Sequence, residues 1–211
     1  MEMIDVIAEM FPEAEAELNY TNPFELTIAV LLSAQTTDVG VNRVTKGLFE
    51  RFKTPEDYLA VDVEVIESYI KTIGLYRNKA KNIQKLCRDL IEKFNGEIPN
   101  NYDDLISLAG VGRKTANVVL SVAFDTPRIA VDTHVERISK RLGIARYKDS
   151  PLEVEETLMR KIPPERWSKT HHQLIFFGRY HCLSRAPKCH ECPLLEECRE
   201  GQKRLKKGLV K

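Results

Sequence analysis

The residues most suited to chemistry surround a lysine that follows two closely spaced glycines. Gly110 and Gly112 precede Arg113 and Lys114, and apolar residues with a helical period begin directly afterwards. Glycine lets the backbone adopt a positive φ and lets a ligand approach the main chain closely. The period predicts a helix that begins near Arg113, after a shorter helix over about 102–108. The free amides at such a helix start form an anion site suited to phosphate.

Lys114 lies in the first turn of this predicted helix, where a cation opposes the helix dipole. The placement costs stability and therefore suggests a function. One interpretation is a nucleophile, because the dipole and the neighbouring Arg113 disfavour the ammonium and so favour the reactive amine. The other interpretation is that Lys114 and Arg113 both bind phosphate. The local sequence leaves both interpretations open.

A second motif, Val-Asp-Thr-His-Val, follows at residues 131–135 and contains Asp132 and His134. Together with Leu-x-Gly-Val-Gly-Arg-Lys-Thr-Ala-Asn at residues 108–117, it resembles the helix-hairpin-helix DNA glycosylases of the endonuclease III family. That family usually has proline where this chain has Ala109, and the departure concerns the rigidity of the hairpin. The resemblance covers nearly the whole chain.

Asp132 is the candidate carboxylate. Thr133 with Glu136 predicts a capping box at the start of a further helix, and Asp132 is the alternative N-cap. A carboxylate fixed at a helix start can stabilise the oxocarbenium-like charge that develops on a sugar when its base leaves. It can also accept a proton from Lys114. His134 is interpreted as a contact to phosphate or to the helix start.

Four of the five cysteines fall within residues 182–198, with the spacing Cys-x6-Cys-x2-Cys-x5-Cys. In an intracellular protein this clustering favours a metal site over disulfides. Only one close pair is present, so the spacing alone leaves zinc and an iron–sulfur cluster open. In the endonuclease III family this spacing holds a [4Fe-4S] cluster, and the resemblance implies the same cofactor here. Its ligands would be Cys182, Cys189, Cys192 and Cys198.

The resemblance also implies residues that contact DNA. Gln35 lies in a polar segment in which Thr36 or Thr37 can cap the next helix, and the family uses this glutamine to fill the space left by an extruded nucleotide. Leu75 lies in a turn, and the family inserts this leucine opposite the glutamine. Lys79 is interpreted as part of a solvated helix face that also meets phosphate. Further DNA contacts would come from Gly110, Gly112, Arg113 and His134, and from Arg185 and Lys188 in the cysteine loop.

Composition places limits on the class of protein. The chain has 211 residues, of which 43% are hydrophobic and 30% charged, enough for one large domain or two small ones. It contains no apolar run of the ~18 residues that a membrane span needs, and its acidic N-terminus does not resemble a secretory signal. We therefore expect an intracellular, cytoplasmic protein, associated with the nucleoid if the source is bacterial.

The formal net charge is only +1, but the charges are segregated along the chain. Residues 1–42 contain eight acidic residues and no Lys or Arg, so the rest carries 32 basic and 23 acidic residues. This distribution favours a basic face turned towards a polyanion, with an acidic back. A solvated charged surface is the alternative for most of these side chains.

No alternating strand pattern is present, and helix-start signals recur, as at Asn22-Pro23 and Ser150-Pro151. The sequence therefore predicts an all-α fold, with helices near 38–52, 63–72, 77–94, 133–142, 151–161 and 168–181. The resemblance implies two helical lobes with the active site in the cleft between them. One is a six-helix lobe over 17–126, with the helix-hairpin-helix at about 102–124; the other is discontinuous, comprising 1–16 and 127–211 with the cysteine loop 182–198.

The combined interpretation is a bifunctional DNA glycosylase and abasic-site lyase of base excision repair. Lys114 would attack C1′ of a flipped, oxidised pyrimidine nucleotide, and the Schiff base would permit β-elimination. The implied partner is double-stranded DNA with damaged pyrimidines or abasic sites, bound by a monomer without a membrane. Two alternatives stay open: an adenine-mismatch glycosylase, whose members lack this lysine and carry a further C-terminal domain, and a non-catalytic DNA-binding module.

Overall fold

The computed structural model describes residues 2–210, with side chains from Met3 onwards. Within that range the chain forms helices and no β-strand, which confirms the all-α prediction. No helix in the described residues combines the length and apolarity needed to cross a bilayer. The α-helices are α1 Glu2–Met10, α2 Pro23–Leu32, α3 Asp38–Arg51, α4 Pro55–Leu59, α5 Val63–Ile70, α6 Tyr76–Phe94, α7 Tyr102–Ser107, α8 Arg113–Ala123, α9 Thr133–Leu142, α10 Pro151–Lys161, α11 Trp167–Phe176 and α12 Arg199–Lys206.

Internal contacts divide the chain into two compact units. The continuous unit is Glu17–Thr126, and the discontinuous unit combines the residues before and after it. The continuous unit contains seven α-helices, α2 to α8, rather than the six that the resemblance implied. The shortest of them is the five-residue helix α4, whose start is fixed by Asp57, because this carboxylate accepts a hydrogen bond from the backbone N–H of Thr54 at 3.0 Å.

Helix α2 is the centre of the continuous unit. Asn22 caps it by accepting a hydrogen bond from the backbone N–H of Glu25 at 2.9 Å, and Pro23 occupies its first turn. All residues from Glu25 to Leu32 are buried, so the helix is enclosed on every side, as its apolar sequence predicts. Because α2 packs against α8, it places the second helix of the hairpin motif on the core.

The discontinuous unit has a core of its own, built mainly from α1, α9 and α11. Ile7, Val135 and Leu174 are buried there, one from each of these helices. An ion pair of 2.7 Å between Asp5 and Arg166 joins α1 to the segment ahead of α11. The N-terminal segment is therefore packed onto the C-terminal half of the chain.

The helix predicted over 168–181 consists of two elements. Helix α11 ends at Phe176, and Phe177–His181 continues as a wider π-helical turn that leads into Cys182. The rings of Phe177 and His181 are stacked, with centroids 5.2 Å apart. A π-turn has no separate apolar period, which explains why the sequence suggested one continuous helix.

We expect Ser150→Ala to destabilise the protein, because Ser150 begins α10 with a capping box. Its hydroxyl accepts a hydrogen bond from the Glu153 N–H at 3.3 Å, and the Glu153 carboxylate accepts one from the Ser150 N–H at 2.7 Å. Loss of the capping oxygen should lower the free energy of unfolding by about 1 kcal/mol, as measured by urea or thermal unfolding. Ser150→Asn keeps a capping oxygen and should stay close to wild type. Equal losses in both variants would contradict the capping argument.

Candidate active site

The hairpin between α7 and α8 turns at Gly110. This residue has a φ of 78°, and a Cβ there would lie 2.9 Å from Leu31 Cδ1 and 3.2 Å from Asn82 Cβ. Glycine is needed both for the conformation and for close packing on the core. Gly112 is different, because its φ of −97° is open to any residue. It is the N-cap of α8, and a Cβ there would meet nothing within 4 Å, so its backbone is open to approach.

At position 109, where the family usually has proline, this chain has an alanine whose backbone N–H makes a hydrogen bond. Its backbone N–H donates to Asp89 Oδ2 at 3.2 Å, and Asp89 Oδ1 in turn accepts from Lys93 Nζ at 2.7 Å. A proline has no N–H and could not make the first of these contacts. The hairpin is therefore joined to a side chain of α6 through the backbone of Ala109.

Arg113 and Lys114 form the first turn of α8, and both are exposed. Arg113 Nη1 donates to Tyr102 Oη at 3.3 Å, and its guanidinium lies 5.6 Å from the centre of the Tyr102 ring. This contact joins the two helices of the motif. Lys114 stands at the N-terminal end of α8, close in sequence to the open backbone of Gly112.

Gln35 and Leu75 lie on neighbouring loops of the continuous unit. Both have left-handed backbone, with φ of 55° and 59°, a conformation that costs energy for residues with a side chain. A Cβ on Gly74 would lie 3.9 Å from the carbonyl oxygen of Gln35, so the two loops are adjacent. Leu75 is 53% exposed and Gln35 is also exposed, while Thr37 provides the cap of α3. Strained residues whose side chains do not serve the core are typical of functional sites.

Lys79 is not on a solvated helix face, so the interpretation from the sequence was wrong. The residue is 4% exposed, and its Nζ donates to Thr36 Oγ1 at 2.9 Å. Burial lowers the pKa of its ammonium group. One signal was available in the sequence, because Lys79 lies four residues before the buried Ile83 and so continues the apolar stripe of α6.

Asp132 is the N-cap of α9. Its Oδ1 accepts hydrogen bonds from the backbone N–H groups of His134 at 2.9 Å and Val135 at 2.8 Å. The predicted capping box with Glu136 is absent from α9, because Glu136 Oε1 pairs instead with Lys140 Nζ at 2.5 Å. Both cap contacts fall on one oxygen, so the half-buried carboxylate is held rigidly at the helix start.

His134 is enclosed by the next turn of α9 and by the π-helical turn. Its Nδ1 lies 3.3 Å from Arg137 Nη2, and a Cβ on Gly178 would lie 3.1 Å from His134 Cβ. Burial lowers the pKa of His134, and the nearby charge of Asp132 acts in the opposite direction. The imidazole is therefore neutral near pH 7, when it can still donate one hydrogen bond.

The four clustered cysteines line one cavity of the discontinuous unit. Leu142, Phe177 and Leu195 belong to the same wall, which gives the thiols an apolar surrounding. None of these cysteines forms a disulfide. Among residues 2–210, no group of three or more His, Cys, Asp or Glu side chains is placed to hold a metal ion at one point. The four thiols that share this cavity are those of Cys182, Cys189, Cys192 and Cys198.

Sulfur atoms of this cavity accept hydrogen bonds, and burial raises the pKa of thiols around it. Arg141 Nη1 donates to Cys182 Sγ, and the Gly201 N–H donates to Cys198 Sγ, both at 3.3 Å. Burial raises the pKa of Cys192 to about 11, and the charges of the neighbouring thiolates add to the increase. Burial raises the pKa of Cys189 and Cys198 as well, so these three bare thiols are protonated near neutral pH and a metal centre bound to them would displace protons.

Arg141 was not identified from the sequence, and it holds the loop that follows the first clustered cysteine. Its Nη1 donates to the carbonyl of Leu183 at 2.7 Å and its Nη2 to that of Ser184 at 2.6 Å. These partners lie 42 and 43 residues away, so no local pattern could reveal them. Arg185 and Lys188, which continue the loop, are exposed.

The residues singled out in the sequence are divided between the two units. In the continuous unit the structure brings together the residues of the hairpin, and it places the two strained loops side by side. In the discontinuous unit it gathers the four thiols around one cavity. The continuous unit contains Gln35, Leu75, Gly110, Gly112, Arg113 and Lys114, and the discontinuous unit contains Asp132, His134, Arg185, Lys188 and the cysteines.

Comparison with known proteins defines the class of this fold. The model of the HhH-GPD superfamily of base excision DNA repair proteins matches residues 28–164, more than half of the chain. The matched region includes both the hairpin and Asp132. The fold and the hairpin are therefore those of a base excision DNA repair protein.

Comparison with individual relatives identifies a narrower family. Endonuclease III of Bacillus subtilis (strain 168) is 68% identical over 208 residues, which cover 99% of this chain and 95% of that protein. The solved structure of a trapped endonuclease III–DNA covalent intermediate, in an estranged-adenine complex, matches with a TM-score of 0.94 and 64% identity over 96% of this chain and 95% of the other. A non-covalent endonuclease III–DNA complex matches with a TM-score of 0.95 and 63% identity over 97% and 96% of the two chains. The chain belongs to the endonuclease III family, as its motifs indicated, and is a DNA glycosylase/lyase.

We expect the two hairpin glycines to respond differently to alanine. Gly110→Ala combines a left-handed alanine with contacts to Leu31 and Asn82 that are too short, and should lower the free energy of unfolding by about 2–4 kcal/mol. Gly112→Ala introduces neither problem and should change it by less than ~0.5 kcal/mol. Chemical unfolding of the two variants in parallel measures the difference. Similar destabilisation in both would show that the turn does not depend on Gly110 in this way.

Proposed function

We propose that this chain removes oxidised pyrimidines from double-stranded DNA and then cleaves the abasic strand by β-elimination, with Lys114 as the nucleophile. The observation that carries the proposal is the exposed position of Lys114 at the open start of α8. It is supported by the 64% identity to a protein that has been trapped in a covalent intermediate with DNA. The family's bacterial relatives suggest that the chain acts at the nucleoid.

Phosphate contacts would orient the DNA without reading its sequence. The open amides at Gly112 and the charge of Arg113 suit one phosphate at the start of α8. His134 would contribute a neutral N–H donor, because burial lowers the pKa of its imidazole. Arg185 and Lys188 would meet the backbone from the loop that Arg141 holds.

The strained loops would take the place of the extruded nucleotide. Leu75 is exposed and apolar, so its insertion between bases removes apolar surface from water and offsets part of the cost of unstacking. Gln35 carries an amide that can replace hydrogen bonds of the missing base. A damaged pyrimidine costs less to unstack than an intact one, which gives the site a preference for lesions.

The chemical step begins when the neutral amine of Lys114 attacks C1′. A bond forms between Nζ and C1′ while the bond from C1′ to the base breaks. The base leaves with the electron pair and takes up a proton, and Asp132 would accept the proton that the attacking amine gives up. Ring opening gives a Schiff base, loss of a proton from C2′ then breaks the C3′–O bond, and the strand is cut. Asp132 would stabilise the positive charge on the sugar, because its carboxylate is fixed by two backbone N–H groups.

We propose that the four clustered cysteines hold a [4Fe-4S] cluster. Four thiols of the family's spacing line one cavity with an apolar wall, and thiolates are the ligands that such clusters use. When bound, the cluster would supply strong thiolate bonds that close the loop over 182–198. The role of this chain's residues there is structural, since the loop would otherwise have little core to hold it.

We expect Lys114→Gln to abolish the covalent DNA adduct that borohydride traps with the wild-type protein on a duplex containing thymine glycol. Loss of the nucleophile should also reduce base release by about 1,000-fold or more. The matched control is Lys161→Gln, an exposed lysine at the end of α10, which should keep the adduct. An undiminished adduct from Lys114→Gln would rule out this nucleophile. DNA binding without base release in the wild type would favour the non-catalytic module.

We expect the purified protein to be brown and to contain iron and acid-labile sulfide in equal amounts. Cys198→Ala should lose most of the visible absorbance, because it removes one of the four thiols around the cavity. Cys87→Ala removes a thiol buried in the core of the continuous unit and should retain the absorbance. A colourless protein that contains zinc would contradict the assignment of the cluster.

A further inference from the structure

Lys79 combines burial with a charge that no carboxylate of residues 3–210 balances. It is 4% exposed in the first turn of α6, and its ammonium donates to a neutral partner, Thr36 Oγ1, at 2.9 Å. Burial lowers the pKa of this ammonium group, and no carboxylate charge among the described residues opposes the shift. A buried cation without a counter-charge normally lowers stability. A methionine would fill the same space at lower cost, so stability does not explain the lysine.

The contacts of Lys79 explain why a lysine occupies this buried position. Its backbone N–H donates to the carbonyl of Leu75 at 3.0 Å, which forms the first turn of α6 against one strained loop. Its side chain donates to Thr36, the residue directly after Gln35, in the other strained loop. One residue therefore contacts both loops, through its main chain on one side and its side chain on the other.

Thr36 is well placed to transmit this contact to Gln35. Its hydroxyl accepts from Lys79 and lies 3.4 Å from the carbonyl oxygen of Ala34, on the other side of Gln35. Its methyl group would lie 3.2 Å from a Cβ on Gly40, so the side chain is packed against the first turn of α3. The hydroxyl thus links the residues on both sides of Gln35 to the ammonium of Lys79.

We infer that Lys79 is a positioning residue for lesion recognition, which holds the Gln35 and Leu75 loops side by side in the conformation that enters the duplex. This inference rests on the proposed function, since it requires that both loops meet DNA. Left-handed residues with side chains persist only where their surroundings determine them. Without the ammonium, the Gln35 loop would sample other conformations and would have to be ordered again on each binding event.

The test compares five variants of the full chain: Lys79→Met, Thr36→Val, their combination, Gln35→Ala and Lys85→Met. Lys85 is an exposed lysine of the same helix and serves as the matched control. Affinity is measured for a duplex with a tetrahydrofuran abasic-site analogue and for the intact duplex of the same sequence. 2-Aminopurine placed opposite the analogue reports entry of the loops by its fluorescence. Thermal unfolding is recorded for every variant.

We expect Lys79→Met to lower the preference for the abasic duplex by about tenfold, the scale of a lost charge-assisted hydrogen bond. The 2-aminopurine signal should fall with it, while the melting temperature stays the same or rises because a buried charge is removed. Thr36→Val should show the same loss of preference. The combined variant should be no worse than either single one, because both remove the same contact. Lys85→Met should match the wild type.

Three outcomes would overturn the inference. The first is an unchanged preference in Thr36→Val or Lys79→Met when Gln35→Ala, measured alongside, loses it. The second is a lower melting temperature with equal losses of affinity for both duplexes, which would mean a structural role only. The third is an unchanged preference in Gln35→Ala itself, which would remove the loop's part in recognition. Borohydride trapping of the wild type on a preformed abasic site reports Lys114 separately, so a missing adduct would count against the proposed function and not against Lys79.

Discussion

The packing of α2 against α8 is the contact on which the candidate site depends. Helix α2 is buried from Glu25 to Leu32, and Leu31 lies directly beneath the turn at Gly110. Fully burying a leucine side chain stabilises the folded state by about 1.5–3 kcal/mol, and Leu31 also sets how closely the hairpin packs on the core. Because Gly110 has no Cβ, the turn can rest on this side chain. The first turn of α8, with Lys114, is thereby presented outwards from a rigid base rather than from a mobile loop.

How far the sequence could predict this structure depends on the range of each interaction. The caps at Asn22 and Ser150 bind backbone N–H groups three residues later, so the residue types alone predict these helix starts. At α9 the sequence allows two caps, a capping box of Thr133 with Glu136 or Asp132 itself. Asp132 is the cap, because Glu136 forms an ion pair with Lys140 one turn later. Contacts such as those of Lys79 and Arg141 have partners some 40 residues away. A single sequence shows the residue type but not what the fold brings to it.

The same limit applies to charge. The basic excess after residue 42 suggested a cationic face, and composition cannot tell which cations remain at the surface. Arg137 donates to the carbonyl of Gly178, and Arg141 donates to carbonyls of the cysteine loop. Burial also removes Lys79 from the surface. Part of the positive charge therefore builds the scaffold, and fewer cations are left to meet phosphate than the count implies.

Helix α6 connects two features that were described separately. It is a single helix of 19 residues, so Lys79 in its first turn and Asp89 further along belong to one stiff rod and lie about 15 Å apart. The first holds the loops of Gln35 and Leu75, and the second holds the hairpin through Ala109. The hydrogen bond from Ala109 to Asp89 thus ties the hairpin to the same helix that holds the loops, a connection that a proline at position 109 could not make.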